Sequence, residues 1–559
     1  MLGVILRSFF ALIVIAGAVH SRAHSGRHAH ASWRWLWMPL ALGSLVLPAL
    51  PLPIWAWGVA SWAIGMAPAW YVAKRGWDDL VPWADWFGPS KYLSGSRQLM
   101  AWQVARAVRK QASRFQIGGV PFPAELEVVH ALLVGTTGSG KTVVLKTVLD
   151  QMEKDGQRVI AIDSGADLAT RYYSKTRGDV ILNPLDSRCA PWSPLAELRS
   201  VEDCMSMAKS ICPTGEGSDK TWTLAAQNFI SAILMKLLER PNATNKDFLH
   251  FVAIADVEEL REFLAGTHAA PYLAEGNERM FGSVRSTAQE RTAAFFMLDP
   301  SAGRDGFSVR KFIAADGQSW LFATYLDDQL ELLRYLIATI IDIAAIAVLS
   351  LTQSAQRRVM FSLDEFDSIG KVDTVLTELT KGRKYGASVW LGIQTIAQFR
   401  KNYGNDGAQT LAGNLGSWVV LRTPDPDTAE YVSKKLGTGD YARKTMQLSH
   451  SEGGMGTSHG EQIERNIPAV PTGDIVTLQV ASRETKTPPM GYLHLAGQMP
   501  CRITLRFPAG RPERDSDDAL GRYGFVLRDD YAQQRTRAAN VLHQAQDAMA
   551  KALASINDI

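Results

Sequence analysis

Cysteine is scarce and unpatterned in this chain. Cys189, Cys204, Cys212 and Cys501 are its four cysteines, with no CxxC spacing and no histidine pair beside them, so neither a disulfide framework nor a zinc site is indicated. Reduced thiols in a cytosolic body are the expectation. A strong charge bias is missing as well: 59 Lys and Arg against 56 Asp and Glu leave a formal net charge of +3, which neither demands nor excludes a polyanionic partner. At 61.4 kDa the chain is too long for one ordinary core, so two or three domains are expected.

The third absence is local. No charged residue occurs from Trp35 to Ala73, and a helix of that length would reach ~58 Å, about twice a ~30 Å hydrocarbon core. Two crossings follow. Pro48, Pro51 and Pro53 break the run and favour a tight extracytoplasmic turn. Indoles crowd its ends and its turn (Trp33, Trp35 and Trp37; Trp55 and Trp57; Trp70 and Trp77), as at membrane interfaces. Arg22, Arg27 and Arg34 before the hairpin and Lys74 and Arg75 after it place both flanks in the cytoplasm.

An earlier apolar stretch, Ser8 to Val19 within a possible extra segment 3–19, reads as a signal-like region, an interfacial anchor or a third span, the last being favoured. The loop HSRAHSGRHAH offers histidines to a metal or, in the preferred reading, a basic face to lipid headgroups.

What is present begins with LVGTTGSGKT. An apolar run from Ala131 to Val134, a glycine-rich turn and the helical spacing of VVLKTVLDQM give strand, loop and helix in the order a phosphate-binding loop requires. Gly135, Gly138 and Gly140 let the backbone curl, so that the amides of the loop through Thr136, Thr137 and Ser139 point at phosphate oxygens at a helix N-terminus. Lys141 supplies charge to the β and γ phosphates of ATP, and the Thr142 hydroxyl is a Mg²⁺ ligand. Farther along, RVMFSLDEFD reads as a buried strand ending in Asp364, a Mg²⁺-shell residue, and Glu365, which polarises an attacking water.

The strand in SVWLGIQTIAQ ends on Gln394, an uncharged sensor of the γ-phosphate. KGRKYG exposes Arg383, either a solvated loop cation or an arginine projected into a neighbouring subunit's site. With Arg158 to Asp163, Val180 to Asp186 and Ser417 to Thr423 as further strands, the fold class is α/β with a mostly parallel sheet. Asp163 is read as a helix cap rather than a ligand.

Lys141 and Asp364 lie about 220 positions apart, more than a minimal nucleotide-binding core needs. The periodicity of WTLAAQNFISAILMKLLER, VEELREFLAG and SVRSTAQERTAAFFML predicts an inserted all-α domain. Within and after it, Lys220, Arg285, Arg291, Arg310 and Lys311 either line a polyanion path or sit on solvated helix faces. The run Leu332 to Leu351 contains Arg334 and Asp342 and is expected as a buried core helix. Expected boundaries are 1–75 membrane region, 76–197 and 308–510 the two parts of the nucleotide-binding domain, 198–307 the insertion and 511–559 a helical tail. The tail docks a substrate or adaptor, or packs on its own domain.

Taken in order, the apolar hairpin, the phosphate loop, ILNPLDSRCAPWSPLAEL, SLDEFDSIG, GRKYGASVWLGIQT and DPDTAEYVSKKLG resemble the type IV secretion coupling proteins of the TraD/TraG class, the conjugative DNA-transfer ATPases. The resemblance covers most of the chain. It implies a multi-pass bacterial inner-membrane protein with a large cytoplasmic RecA-like ATPase domain, assembling as a homo-oligomer, a hexamer. Such a ring receives relaxase-bound single-stranded DNA and feeds it to components of the secretion channel, and its spans contact membrane lipid. By position, Lys141 and Thr142 match the family's Walker A motif, Asp364 and Glu365 its Walker B motif, Gln394 its sensor and Arg383 its trans-acting arginine. The short turn of the hairpin departs from the family's sizeable periplasmic loop. Rival readings are a coupling ATPase for protein effectors, a nucleotide-gated membrane receptor or scaffold, and a chromosome-segregation pump of the FtsK class, which the insertion and ILNPLD do not fit.

Overall fold

Short runs of apolar residues bounded by glycine and polar turns set the strands of this protein, whose computed structural model describes residues 91–215, 219–370, 372, 380–451, 454–482, 484–509, 528 and 530–557. The expected hairpin 35–73, the segment 3–19 and the histidine-rich loop lie outside the described residues. The chain divides into two compact units.

The smaller unit holds β1 (Lys91–Gly95) and the long strands that the structure places at Thr438–Ser451 and Gly454–Pro468. These form a three-stranded sheet in which β1 runs antiparallel to the strand Thr438–Ser451, with Tyr92 packed edge-on against Tyr441 at 5.9 Å between ring centroids.

The larger unit is built on a ten-stranded sheet. Its strands are β2 (Leu99–Met100), β5 (Ala131–Val134), β6 (Arg158–Ser164), β7 (Val180–Ile181), β8 (Leu321–Tyr325), β9 (Val359–Leu363), β10 (Ala387–Ile393), β11 (Ser417–Val420), β14 (Met490–His494) and β15 (Cys501–Thr504). The intervening numbers are β3 (Ser113–Ile117) and β4 (Val120–Pro123), a separate hairpin, and the long strands β12 and β13 of the smaller unit. The order is β2-β15-β14-β11-β5-β10-β9-β6-β8-β7. From β11 to β7 every pairing is parallel, while β14 runs antiparallel to both β11 and β15. Every residue of β5, β8, β9 and β10 is buried, as expected of parallel strands covered on both faces.

Alternation sorts these strands between two cores. Ala131 and Leu133 join a cluster with Val144, Leu145 and Val148 of α2 (Lys141–Lys154). Also in it are Val104 and Val108 of α1 (Ala101–Val108). Leu132 and Val134 point the other way, into a cluster with α6 (Leu330–Leu349) and the helices α3 (Val201–Ile211), α4 (Asp219–Leu238) and α5 (Glu278–Thr292). Among the described residues α6, with Asp327 to Gln329 before it, is the one helix long and apolar enough to cross a membrane, and 72% of its apolar window is buried inside the protein. Its buried Asp342 accepts a hydrogen bond from Ser210 of α3. A core helix results.

Between α3 and Met297 the described elements are all helical. A single carboxylate pins the two chain segments that enter and leave this stretch. Glu197, 1% exposed, accepts from Trp192 Nε1 (2.9 Å) and the Val309 amide (2.6 Å) through one oxygen. Through the other it accepts from Ser308 Oγ (2.8 Å) and the Arg310 amide (3.1 Å). The last helix, α7 (Tyr531–Asn557), packs on α5 and on the turn Ala293–Met297, burying Ala538 and Ala545. Arg535 near its start pairs with Asp328 at 2.7 Å.

The sheet departs from expectation in several places: β2, β14 and β15 are not among the strands read from the sequence, and the expected strand Ser417 to Thr423 ends at Val420. β8 is not among the strands read from the sequence, because its five residues run within a few positions into apolar α6 and no periodicity marks the boundary. The expected strand Val180 to Asp186 ends at Ile181. Pro184 has no amide to donate, and the Asn183 side chain closes a turn by accepting from the Leu185 amide at 2.9 Å. Desolvation pushes the thiols of the buried Cys204, Cys212 and Cys501, and of the partly exposed Cys189, up to about 12, which favours their protonated form at neutral pH.

Glu197→Gln turns an acceptor-only group into one that points an NH₂ at existing donors. It is expected to lower unfolding free energy by about 2–4 kcal/mol, read from the urea midpoint of the full chain.

Candidate nucleotide-binding site

Register brings the sequence-predicted residues to one edge. Val134 pairs with Ile393, and Leu391 pairs with Leu363, so β5, β10 and β9 end side by side. The residues that follow these ends are Gly135, Gln394 and Asp364. Ligands of open α/β sheets bind at such carboxyl-terminal edges.

The loop from Gly135 to Gly140 is held by its neighbours. The Gly135 amide donates to the Ile393 carbonyl (3.2 Å), the Thr136 amide to that of Arg422 (3.0 Å) and the Ser139 amide to that of Thr136 (3.1 Å). Thr137 and Gly138 are exposed at its crest. Gly140 stands at φ +110°, and a Cβ there would come within 2.7 Å of Pro489, so both conformation and space require glycine. Helix α2 starts at the next residue.

Lys141 is 5% exposed and donates to the Gly135 carbonyl at 2.7 Å, folding its ammonium back over the loop. Thr142 Oγ1 donates to Asp364 Oδ2 at 2.8 Å, joining the loop to the end of β9. Gln394 Nε2 donates to Glu365 Oε1 at 3.0 Å. Burial raises the Asp364 pKa above the usual carboxylate range, against the pull of Thr142 and Lys141. Burial likewise raises that of Glu365, opposed first by Lys141 and reinforced by Asp364 and Asp327.

Nucleotide and Mg²⁺ fit this edge by the donors and acceptors it leaves unused. Among the described residues, the buried Ser139 Oγ and Asp364 Oδ1 have no hydrogen-bond partner. One lacks a partner beside the loop, the other beside the threonine hydroxyl. A hard cation that keeps waters and takes one or two protein oxygens plus phosphate suits Thr142 and Asp364. No group of three or more metal-ligating side chains occurs among the described residues.

Arg383 is not part of this cluster. It is exposed in the turn Gly382–Tyr385 that leads into the start of β10, and β10 then rises ~23 Å before it reaches Gln394. The two residues occupy opposite edges of the sheet. The cations named along the helical stretch take separate partners or face solvent. Arg310 pairs with Asp203 at 3.0 Å, Arg291 lies over the Tyr335 ring at 4.2 Å and Arg285 donates to the Ala255 carbonyl at 2.6 Å. Lys220 and Lys311 are exposed.

One contributor escapes a reading of motifs. Gly392 lies on β10 where a Cβ would come within 1.9 Å of the Asp364 carbonyl oxygen. Only glycine lets β10 pass that close to the acidic pair, and a glycine inside an apolar strand was the available signal. Asp163 closes β6 and accepts from the Leu168 and Ala169 amides at 3.0 and 2.7 Å, as a cap does. Its burial pushes its pKa up to about 7, with nearby Asp364 adding to the rise.

A parallel sheet carrying a glycine loop, a folded-back lysine and an acidic pair at its carboxyl edge defines an α/β nucleotide-binding protein. Residues 114–504 match the family "Type IV secretion-system coupling protein DNA-binding domain", and the chain belongs to that family. It is similar to Coupling protein TraD of Escherichia coli K12, 25% identical over 476 residues, which is 83% of this chain and 64% of TraD. Protein VirD4 of Agrobacterium fabrum is 24% identical over 362 residues, 59% of this chain and 52% of VirD4. The chain therefore spans less than two thirds of these curated relatives.

Among solved structures, the bacterial conjugative coupling protein TrwBdeltaN70 superposes with a TM-score of 0.69 at 27% identity, covering 78% of this chain and 98% of that one. TrwB has been solved with the ATP analogue ADPNP and with ADP and Mg²⁺, both at a TM-score of 0.68 and 27% identity to this chain; each covers 79% of it, and 98% and 99% of TrwB respectively.

Two outcomes follow from this geometry. Gly392→Ala costs about 1–3 kcal/mol by overpacking and shrinks the rise in Tm that Mg·ADP produces, read by thermal melts with and without nucleotide. Because the folded Asp163 binds its proton more tightly than the unfolded one, its contribution to stability is complete below pH ~4 and is lost as pH rises through about 7. Asp163→Asn is therefore expected to flatten the decline of ligand-free Tm between those limits.

Proposed function

We propose that this chain is an ATP-hydrolysing coupling protein of the bacterial inner membrane that drives relaxase-bound single-stranded DNA toward a type IV secretion channel. The observation that carries the reading is the convergence of Lys141, Thr142, Asp364, Glu365 and Gln394 on one sheet edge in a member of the coupling-protein family. TrwB, similar over 98% of its solved chain, binds ADPNP. In this reading residues 35–73 span the membrane as a hairpin in contact with lipid, 3–19 add a further span, and the domain boundaries are those expected from the sequence.

Gly135, Thr136, Thr137, Gly138, Ser139 and Gly140 cradle the phosphates. Lys141 exchanges its Gly135 carbonyl for a phosphate oxygen, and Thr142 with Asp364 holds Mg²⁺. Bound Mg·ATP supplies the phosphoryl group and its partial charge neutralisation. Glu365, held by Gln394, orients the attacking water, its raised pKa bringing it nearer the neutral range where a base works well. Arg383, exposed at the far edge, serves the site of a neighbouring subunit, which calls for a ring, a hexamer.

ATP hydrolysis by the full chain is expected to rise severalfold with single-stranded DNA and to vanish in Lys141→Ala. Glu365→Gln lowers it by about 10²-fold or more and Arg383→Ala by about 10³-fold. Mixed Arg383→Ala and Glu365→Gln subunits recover part of the rate. Hydrolysis indifferent to DNA would move the cargo to protein, and exchange without sustained turnover would make the site a gate.

A further inference from the structure

Helix α1 shows an unpartnered face whose chemistry is specific. Val104 and Val108 fix the helix to the core cluster that includes Phe115 and Ile503, and the Gln103 side chain accepts from the Met100 amide at 2.8 Å to close its first turn. The opposite face is left outward. Trp102, and Met100 at the end of β2 just before the helix, are 62% and 61% exposed, among the most exposed large apolar side chains of the described residues. Helical spacing sets Arg106 one turn beyond Trp102 and Arg109 one turn further, and both are exposed, as is Lys110. From Ser96 to Ala112 the chain carries Arg97, Arg106, Arg109 and Lys110 and no Asp or Glu.

We propose that this face of α1 docks on anionic membrane lipid. An indole and a thioether flanked by cations is the composition of a helix lying in the headgroup plane, with the rings at the interface and the cations on phosphates. The proposal rests on the reading of 35–73 as membrane-spanning. The chain from Ala73 to the start of β1 reaches ~65 Å at most when extended, and only the five residues Ser96 to Met100 separate the end of β1 from α1, so α1 follows closely in sequence on the bilayer that the hairpin would occupy. A convex helix with a single ring offers no groove for a stacked nucleic-acid strand, which needs successive aromatic platforms along a backbone track. The lipid surface is the better complement.

The test places the full chain in nanodiscs, with Ala105→Cys labelled by a fluorophore in a Cys189→Ser background, the other cysteines being buried. Brominated lipid is expected to quench the label in discs containing phosphatidylglycerol and much less in phosphatidylcholine alone. Combined Arg106→Glu, Arg109→Glu and Lys110→Glu is expected to cut the bound fraction at least about tenfold, and Trp102→Ser to weaken it without changing the sign of the charge dependence. A retained Mg·ADP shift in Tm shows that these variants are folded.

An inserted chain whose label is unquenched in both discs overturns the docking alone. A label shielded only by added single-stranded DNA, or only as the chain self-associates, also overturns it. Failure of the chain to insert at all overturns the membrane-spanning reading instead.

Discussion

The hydrogen bond from Thr142 to Asp364 joins two residues about 220 positions apart, and the nucleotide edge depends on it. It forms because β5, β10 and β9 run parallel in a shared register, so that a loop, an amide and an acidic pair emerge at one height. Parallel register alone is insufficient. β10 must also pass against the Asp364 backbone, and Gly392 provides the missing side chain that permits it. A sheet buried on both faces resists sliding, since a shift by one residue would turn the alternating contacts of β5 from one core to the other.

That edge is electrostatically poised for a cation. Asp163, Asp364 and Glu365 are all pushed above their ordinary range, burial being the largest cause in each case, and Lys141 opposes the rise at the acidic pair. Carboxylates held in this way gain more from a nearby divalent ion than solvated ones would, because the ion removes a desolvation cost already incurred in folding. Lys141 rests on the Gly135 carbonyl because a buried ammonium requires an acceptor.

Away from the edge, the helical stretch is attached by polar pins. Glu197 gathers donors from both ends of it, and Arg535 of the last helix reaches Asp328, just past the end of β8. Asp327, next in sequence, acts electrostatically on Glu365. The last helix is thus tied both to α5 and to the region bordering the nucleotide edge.

Local chemistry by itself determined the phosphate loop, the acidic strand end, the α/β class and the burial of the apolar run 332–351, because each depends on a short pattern: glycines before a lysine, a strand closing on carboxylates, a periodic apolar stripe. It also determined Asp163 as a cap. Only the tertiary structure decided the rest. β8 lacked a boundary against the helix after it, the Val180 strand was cut short by an asparagine turn, and the work of Glu197 and Gly392 depends on segments that meet only after folding. Which strands flank β10, and so which residues meet Gln394 at its end, was equally unreadable, since strand order and register, not spacing along the chain, set them.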